Sequence, residues 1–225
     1  MIRETYYFIR HGPKVQRRQK EMGFVEFHKD RVKREDAEGY GELRSNLVGD
    51  LQGNILEVGV GTGATFKYYG SKAKVAAIEP DNEFRIEAAK AAGYAAAEIH
   101  VIPGSGENLP FEDAVFDVVI TSMVLCCALL PKKTLEEFKR VLRPGGQIRL
   151  LEHVRSENWL AGLMMDLLNP IWLRINKMNC NWNRKTVQVV KAAGFTIRSL
   201  ETYKIYSKAT PVAFPLRIIK AVLSV

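Results

Sequence analysis

The stretch NILEVGVGTGATF, Asn54–Phe66, sets an acid, Glu57, two residues ahead of Gly59, Gly61 and Gly63, which alternate with small residues. This reads as a buried strand that turns through a glycine loop towards a helix. Gly59, Gly61 and Ala64 fit the register G-x-G-x-x-G/A of a nucleotide cradle. Glycines there let the backbone turn sharply and approach a ligand closely. The charges suit a pyrophosphate poorly. No Lys or Arg occurs from Asn54 to Phe66, and the Glu57 carboxylate would repel phosphate. The same acid suits a sulfonium that carries an ammonium group. A helix N-terminus binds anions unaided, so a dinucleotide remains open at this point. Glu79 stands 20 residues after Gly59, at the end of a second strand. A carboxylate there can accept hydrogen bonds from both hydroxyls of a ribose, whichever nucleoside is bound. The plainer alternative is an acid that caps the helix starting at Asn82.

Further along, His153 follows a fifth strand and stands at the carboxyl edge, where it can take or share an acceptor's proton. Its plainer role is to fix the next loop. Cys126, Cys127 and Cys180 form no C-x-x-C and have no metal-ligand spacing. The three point to a reducing compartment with no disulfide framework and no zinc site; Cys126 and Cys127 read as buried small hydrophobes, with catalytic or substrate-shuttling thiols as the alternative.

These residues need a scaffold of alternating strands and helices. Strands are expected at Ile55–Val58, Lys74–Glu79, Ala96–Ile102, Phe116–Thr121 and Gln147–Glu152. Helices are expected from Thr62 to Tyr69, over Asn82–Ala92 with Asn82 as its cap, and over Lys132–Leu142 before Pro144-Gly145-Gly146. Such alternation builds a parallel sheet covered on both faces. The apolar run 159–175 should break at Pro170, and a helix should follow over Asn183–Ala193. Two strand-like runs, Thr196–Thr202 and Tyr203–Tyr206, precede a tail, PLRIIKAVLSV, that reads as a short helix. Residues 1–48 read as a helical extension folding over the site as a lid, with 49–225 as the main domain. Val15, Met22, Val25 and Phe27 lie among dense charges in it, and Gly39 and Gly41 should end its helix.

A chain of 225 residues, 47% hydrophobic, can bury one large core. No run reaches the roughly 18 uncharged residues of a membrane span, and no secretory signal is visible. A cytoplasmic protein is expected. The net charge of +8 resides in the last third: residues 151–225 carry 11 Lys/Arg against 4 Asp/Glu. Such a surface draws anions, including anionic lipid. Arg174, Lys177, Arg184 and Lys185 could seat an anionic membrane peripherally, against the plainer reading of a solvated rim. Nucleic acid is not favoured, because no RNA-binding module or interleaved aromatic platform accompanies the charge.

The motifs together resemble the class I S-adenosylmethionine-dependent methyltransferases. LEVGVGTG resembles their first motif, AIEPD their second, PGSGENLPFEDAVFDVVITSMVL their third and fourth, and FKRVLRPGGQIRLLEH the helix, turn and strand that follow. VLCCA, LEHVRSENW, LLNPIWLRINKMNCNWNRKT and AAGF resemble the methyltransferase-like 7 group, associated with S-methylation of small thiols and with membranes or lipid droplets. The resemblance implies a doubly wound, Rossmann-like α/β sheet, mostly parallel with an antiparallel last strand. It implies S-adenosyl-L-methionine as donor, leaving S-adenosyl-L-homocysteine. Gly59, Gly61 and Gly63 would lie under the donor's methionine part, Glu57 would face its ammonium, and Glu79 with Pro80 would hold the ribose. Ser105, Gly106 and Glu107 would flank the adenine, where the wider family often has Asp; Glu107 could instead pair with a cation. Thr121 would end the fourth strand where the methyl group is presented. Ser122, Met123, Trp159 and Trp172 would wall the acceptor pocket. His153 would be the catalytic group, His11 and His28 could join if the extension folds over, and Asp117 and His100 would be structural. No carboxylates stand near Thr121 to hold a divalent ion, so no metal is expected. The long apolar N-terminal anchor of the group is absent from residues 1–48. The expected acceptor is a small apolar thiol. A phospholipid amine or quinone-like acceptor (N-, O- or C-methylation), or S-adenosylmethionine binding without catalysis, are the alternatives.

Overall fold

Strand β1 (Gly53–Val58) buries every side chain from Ile55 to Val58. Successive side chains of a strand point to opposite faces, and here the two faces enter different cores. Ile55 packs with Leu47, Phe66 and Ile120, whereas Leu56 and Val58 pack with Val119, Leu135 and Phe138. A continuous apolar run therefore marks a strand covered on both sides. The structure is a computed structural model that describes residues 17, 20–175, 179–207 and 210–223.

β2 (Ala73–Ile78), β3 (Glu98–Ile102), β4 (Phe116–Ser122) and β5 (Leu142–His153) run parallel to β1. β6 (Phe195–Ser207) and β7 (Thr210–Leu223) complete a sheet of order β3-β2-β1-β4-β5-β7-β6. Only β7 is antiparallel, wedged between β5 and β6. This is the doubly wound Rossmann-like sheet expected from the motif order. The chain crosses from one half of the sheet to the other between β1 and β4, and the crevice at the carboxyl ends there is the usual ligand site of such sheets.

Helices close both faces. α1 (Phe24–Glu35) and α2 (Gly41–Val48) are separated by a kink at Gly39, whose φ of 115° only glycine adopts easily. α2 places Leu43, Leu47 and Val48 in the core beneath β1. Arg149 on β5 is buried and donates to Leu47 O and to both Asp50 carboxylate oxygens, which ties α2 to the sheet. α3 (Asn82–Ala92), α4 (Pro131–Val141), α5 (Trp159–Ile175) and α6 (Thr186–Ala192) follow in order.

Several expectations need correction. No full helix follows the glycine loop; a single 3-10 turn, Phe66–Tyr68, stands there. Gly61 and Gly63 have φ of 55° and 77°, which breaks a helical path before it can start. The cap of α3 is Asp81, which accepts from Glu83 N and Phe84 N; Asn82 is already helical. α5 runs through Pro170 unbroken. The lost hydrogen bond is offset by tertiary clamps: Trp182 Nε1 donates to Met165 O, and Trp172 stacks on Trp182 at 4.8 Å. The runs 196–202 and 203–206 are one strand, β6, and the tail forms β7 rather than a helix. Leu216 to Ile219 are all buried between two strands, and β-branched residues suit that slot better than a surface helix.

Candidate functional site

A cavity of about 540 Å³ opens at the carboxyl ends of β1, β2, β4 and β5, where the strand order switches. Its volume lies within the usual range of small-molecule sites. One wall is the glycine loop. Gly59 has φ of 68°, and a Cβ there would come within 2.7 Å of Val124 Cγ2, so no other residue fits without strain. Glu79 sits on the rim, with its carboxylate accepting from Gly61 N at 2.8 Å and Asp81 N at 3.1 Å. Burial raises its pKa, against the pull of those two N–H groups. The carboxylate thus shapes the loop while facing the space where a ribose would lie. Pro80 lines the same edge.

Glu57 lines the cavity beside the loop. It is fully buried; Thr65 Oγ1 donates to it at 2.5 Å and Tyr69 OH at 2.8 Å. Burial pushes its pKa up to about 7, partly opposed by those two hydroxyls and by Arg44. Each oxygen has one partner, so Glu57 braces the loop while keeping acceptor capacity on the cavity side.

Ser105, Gly106 and Glu107 line the cavity beyond β3. Ser105 Oγ accepts from Glu107 N, and Glu107 Oε1 accepts from Leu130 N at 2.9 Å. Glu107 therefore bridges two loops rather than pairing with a cation. Asp117 is structural, as expected: it accepts from Asn54 N and Arg143. His100 pairs with Glu98 on the exposed edge of β3.

The acceptor side departs furthest from the sequence reading. Ser122 and Met123 line the cavity, and Met123 has a positive φ of 65°. Thr121 does not line it; it is fully buried and donates to Glu152 Oε1. Trp159 is 73% exposed, away from the cavity. Trp172 stacks on Trp182 and donates to Cys180 O, so it supports the wall from outside. His153 does line the cavity, beside Cys126, Cys127 and Cys180. Burial drives its pKa down to about 4, with Arg31 adding to the shift and Cys127 opposing it. At pH 7 the ring is neutral and offers a lone pair.

α1 forms the roof. Phe24, His28, Arg31 and Val32 line the cavity opposite the sheet. His28 packs edge-on against Phe84 at 4.9 Å, and a Cβ on Gly61 would lie 3.3 Å from its ring. Burial, then Arg31 and Arg44, lower its pKa to about 3. Arg44 is buried, lines the cavity, and pairs with Asp36 and Glu35. His11 lies outside the described residues.

Glu152 is the organising residue that motif reading passes over. It is fully buried at the end of β5 and accepts from Thr121 Oγ1, Val124 N, Leu125 N and Cys126 N. One carboxylate thereby shapes the whole 122–126 wall. A signal existed: LLEH repeats the pattern of ILEV and AIEP, an acid closing a buried strand.

Residues 56–150 match the family model described as a methyltransferase domain. Rat thiol S-methyltransferase TMT1B is 34% identical over 164 residues, covering 68% of this chain and 66% of the rat protein. Over residues 56–150 the chain carries a methyltransferase domain, and it is similar to S-adenosylmethionine-dependent methyltransferases. Human thiol S-methyltransferase TMT1A is 33% identical over 154 residues, 66% of this chain and 62% of the human one. Both matches span just under two thirds of the relative's length. A putative methyltransferase from Bacillus halodurans superposes with a TM-score of 0.68 at 16% identity, covering 83% of this chain and 99% of that one. A Thermotoga maritima S-adenosylmethionine-dependent methyltransferase, possibly for histamine, gives 0.65 at 21% identity, covering 89% and 98%. These two likenesses bear on the fold alone.

Proposed function

We propose that this protein methylates a small apolar thiol, with S-adenosylmethionine as donor and S-adenosylhomocysteine as product. The observation that carries this is the division of the cavity. Its β1–β2 side presents Gly59, Gly61 and Glu79, and its β4–β5 side presents Met123, Val124 and the neutral His153. The residues fit the donor: the glycine loop gives backbone close approach, Glu79 offers acceptors for ribose hydroxyls, and Arg31 offers a cation for the amino-acid carboxylate. Two thiol S-methyltransferases among the relatives support the acceptor class.

Methyl transfer from a sulfonium is an in-line displacement, so the protein's task is alignment and exclusion of water. The roof of Phe24, His28 and Val32 excludes solvent in this reading and acts as the lid. The nucleophile is the thiolate, whose free pKa is about 8.5. His153, on the β5 side of the cavity, orients the acceptor's sulfur.

An exposed stripe supports peripheral contact with an anionic membrane as the place where apolar acceptors are met. Trp159, Leu163, Leu167 and Ile171 recur every fourth residue on α5 and are all exposed, with Arg174 at the helix end. A one-sided apolar stripe flanked by cations suits an interface. Lys177 lies outside the described residues. Among the described residues no helix is long and apolar enough to cross a membrane.

The test compares methylation of an alkyl thiol, a phenol and a primary amine, read by mass spectrometry. Turnover should be fastest on the thiol. Calorimetry should show binding of S-adenosylhomocysteine and none of NAD. Methylation of the amine with no thiol turnover would sink the acceptor assignment.

A further inference from the structure

Cysteines 54 residues apart in the chain meet beside His153. Cys126 Sγ lies 3.6 Å from Cys180 Sγ, and Cys180 Sγ lies 3.4 Å from His153 Nδ1. The two sulfurs and a ring nitrogen all fall within 4.8 Å of one another. We propose that Cys126, His153 and Cys180 form a zinc site whose fourth position opens into the cavity and takes the acceptor thiol. The inference rests on the thiol-methyltransferase reading and adds the means by which the acceptor is activated.

The spacing fits the ion. Tetrahedral zinc with Zn–S of about 2.3 Å and Zn–N of about 2.05 Å sets its ligand atoms about 3.8 Å (S to S) and about 3.6 Å (S to N) apart. The Cys126–Cys180 and Cys180–His153 pairs, at 3.6 and 3.4 Å, need only a few tenths of an ångström of opening, and the Cys126–His153 pair lies within 4.8 Å. Two sulfurs and an imidazole are the donor set that borderline-soft zinc prefers over magnesium or calcium. Three protein ligands with one open position distinguish a working zinc site from a closed structural one. All three residues line the cavity, so the open position faces the acceptor space.

The ligands are held by their own backbones. Cys126 N donates to Glu152, Asn181 N donates to Cys126 O at 2.8 Å, and Trp172 Nε1 donates to Cys180 O at 2.8 Å. The bond from Asn181 locks the two cysteine segments together, and such outer contacts preorganise a metal site. Cys127, 3.7 Å from Cys126, lines the cavity nearby but falls outside the three-atom cluster.

The chemistry balances without an oxidant or reductant. Zinc is bound as the two cysteine thiols release their protons to water. The acceptor R–SH then binds at the open position, its sulfur bonds to zinc, and its proton leaves to solvent. The bound sulfur's lone pair attacks the methyl carbon of the donor. The carbon–sulfonium bond breaks, and its electron pair stays on the donor sulfur. The product R–S–CH₃ is a neutral thioether, a far weaker zinc ligand than a thiolate, and dissociates.

The experiment uses the full chain, reduced, stripped with a chelator and titrated with Co²⁺ as a spectroscopic substitute for Zn²⁺. One equivalent should produce a thiolate-to-cobalt absorption in the near ultraviolet, which Zn²⁺ then abolishes. Cys126→Ser, Cys180→Ser and His153→Ala should each weaken Zn²⁺ binding more than about a hundredfold, since even outer partners of a metal site are worth 10–100-fold. Cys127→Ser should keep it. Binding of S-adenosylhomocysteine to each variant checks that it is folded. No cobalt band from reduced wild-type protein that still binds S-adenosylhomocysteine would overturn the site. Loss of metal in Cys127→Ser would overturn the open position. Activity separates the two levels: thiol methylation unaffected by chelation refutes the zinc role and leaves the function, whereas a cobalt band without thiol methylation refutes the function and leaves the site.

Discussion

Glu152 accepts four hydrogen bonds, so its removal is a sharp test of how the cavity wall is held. Glu152→Ala strands the N–H groups of Val124, Leu125 and Cys126 and the hydroxyl of Thr121. An N–H left unpaired in a dry interior costs about 1–3 kcal/mol, so three give about 3–9 kcal/mol. Two effects pull towards the low end. Val124 and Cys126 line the cavity, so water can reach part of the gap. Burial raises the Glu152 pKa, so deleting the acid also returns a desolvation cost. The expected loss is about 3 kcal/mol, or about 6–12 °C in melting temperature for a chain of this size. Glu152→Gln should cost less. Its oxygen can replace Oε1, which accepts from Thr121, Val124 and Leu125, but its NH₂ then faces Cys126 N–H donor to donor. Urea unfolding followed by tryptophan fluorescence measures both variants. A loss under about 1 kcal/mol for Glu152→Ala, or a larger loss for Gln than for Ala, would refute this account of the wall.

Glu57 sets a pH dependence. Its carboxyl is pushed from an ordinary 4.5 up to about 7, so between those values the native state keeps a proton that the unfolded chain has released. Stability should therefore fall as pH rises through this window, by about 3 kcal/mol in all, and Glu57→Gln should flatten that slope in unfolding measured from pH 4 to 8. Gly59→Ala should cost about 2 kcal/mol, from a left-handed φ of 68° and contact with Val124, and should weaken S-adenosylhomocysteine binding in calorimetry; unchanged affinity would argue against the loop as donor cradle. Leu163→Glu with Leu167→Glu, both on the exposed face of α5, should leave folding intact and abolish sedimentation with vesicles rich in anionic lipid. Equal sedimentation of wild type and variant would remove the membrane reading.

Much of the donor half was legible in the chain order alone. Buried strands announce themselves as continuous apolar runs, and a parallel strand ends where its ligand begins, so Gly59 and Glu79 could be placed on the cavity from local pattern, while Ser105 followed from the resemblance of its motif. Propensity misled where tertiary contacts were stronger. Pro170 should end a helix, but Trp172 and Trp182 hold the turn around it. PLRIIKAVLSV carries no strong mark of strand or helix, and its fate was decided by the gap between β5 and β6.

The sequence by itself determined the alternation of strand and helix, the glycine loop and the acids that close β1, β2 and β5, because each depends on neighbours a few residues away. Tertiary structure alone decided which way those acids turn. Glu57 faces Thr65 and Tyr69, Glu79 faces the loop and cavity, and Glu152 faces the 122–126 wall. It alone also brought Cys126, His153 and Cys180 together, since β4, β5 and the segment after α5 meet only when the sheet closes. Spacing along a chain carries no information about contacts that loop closure and packing create, and the acceptor side of this protein is built almost entirely from such contacts.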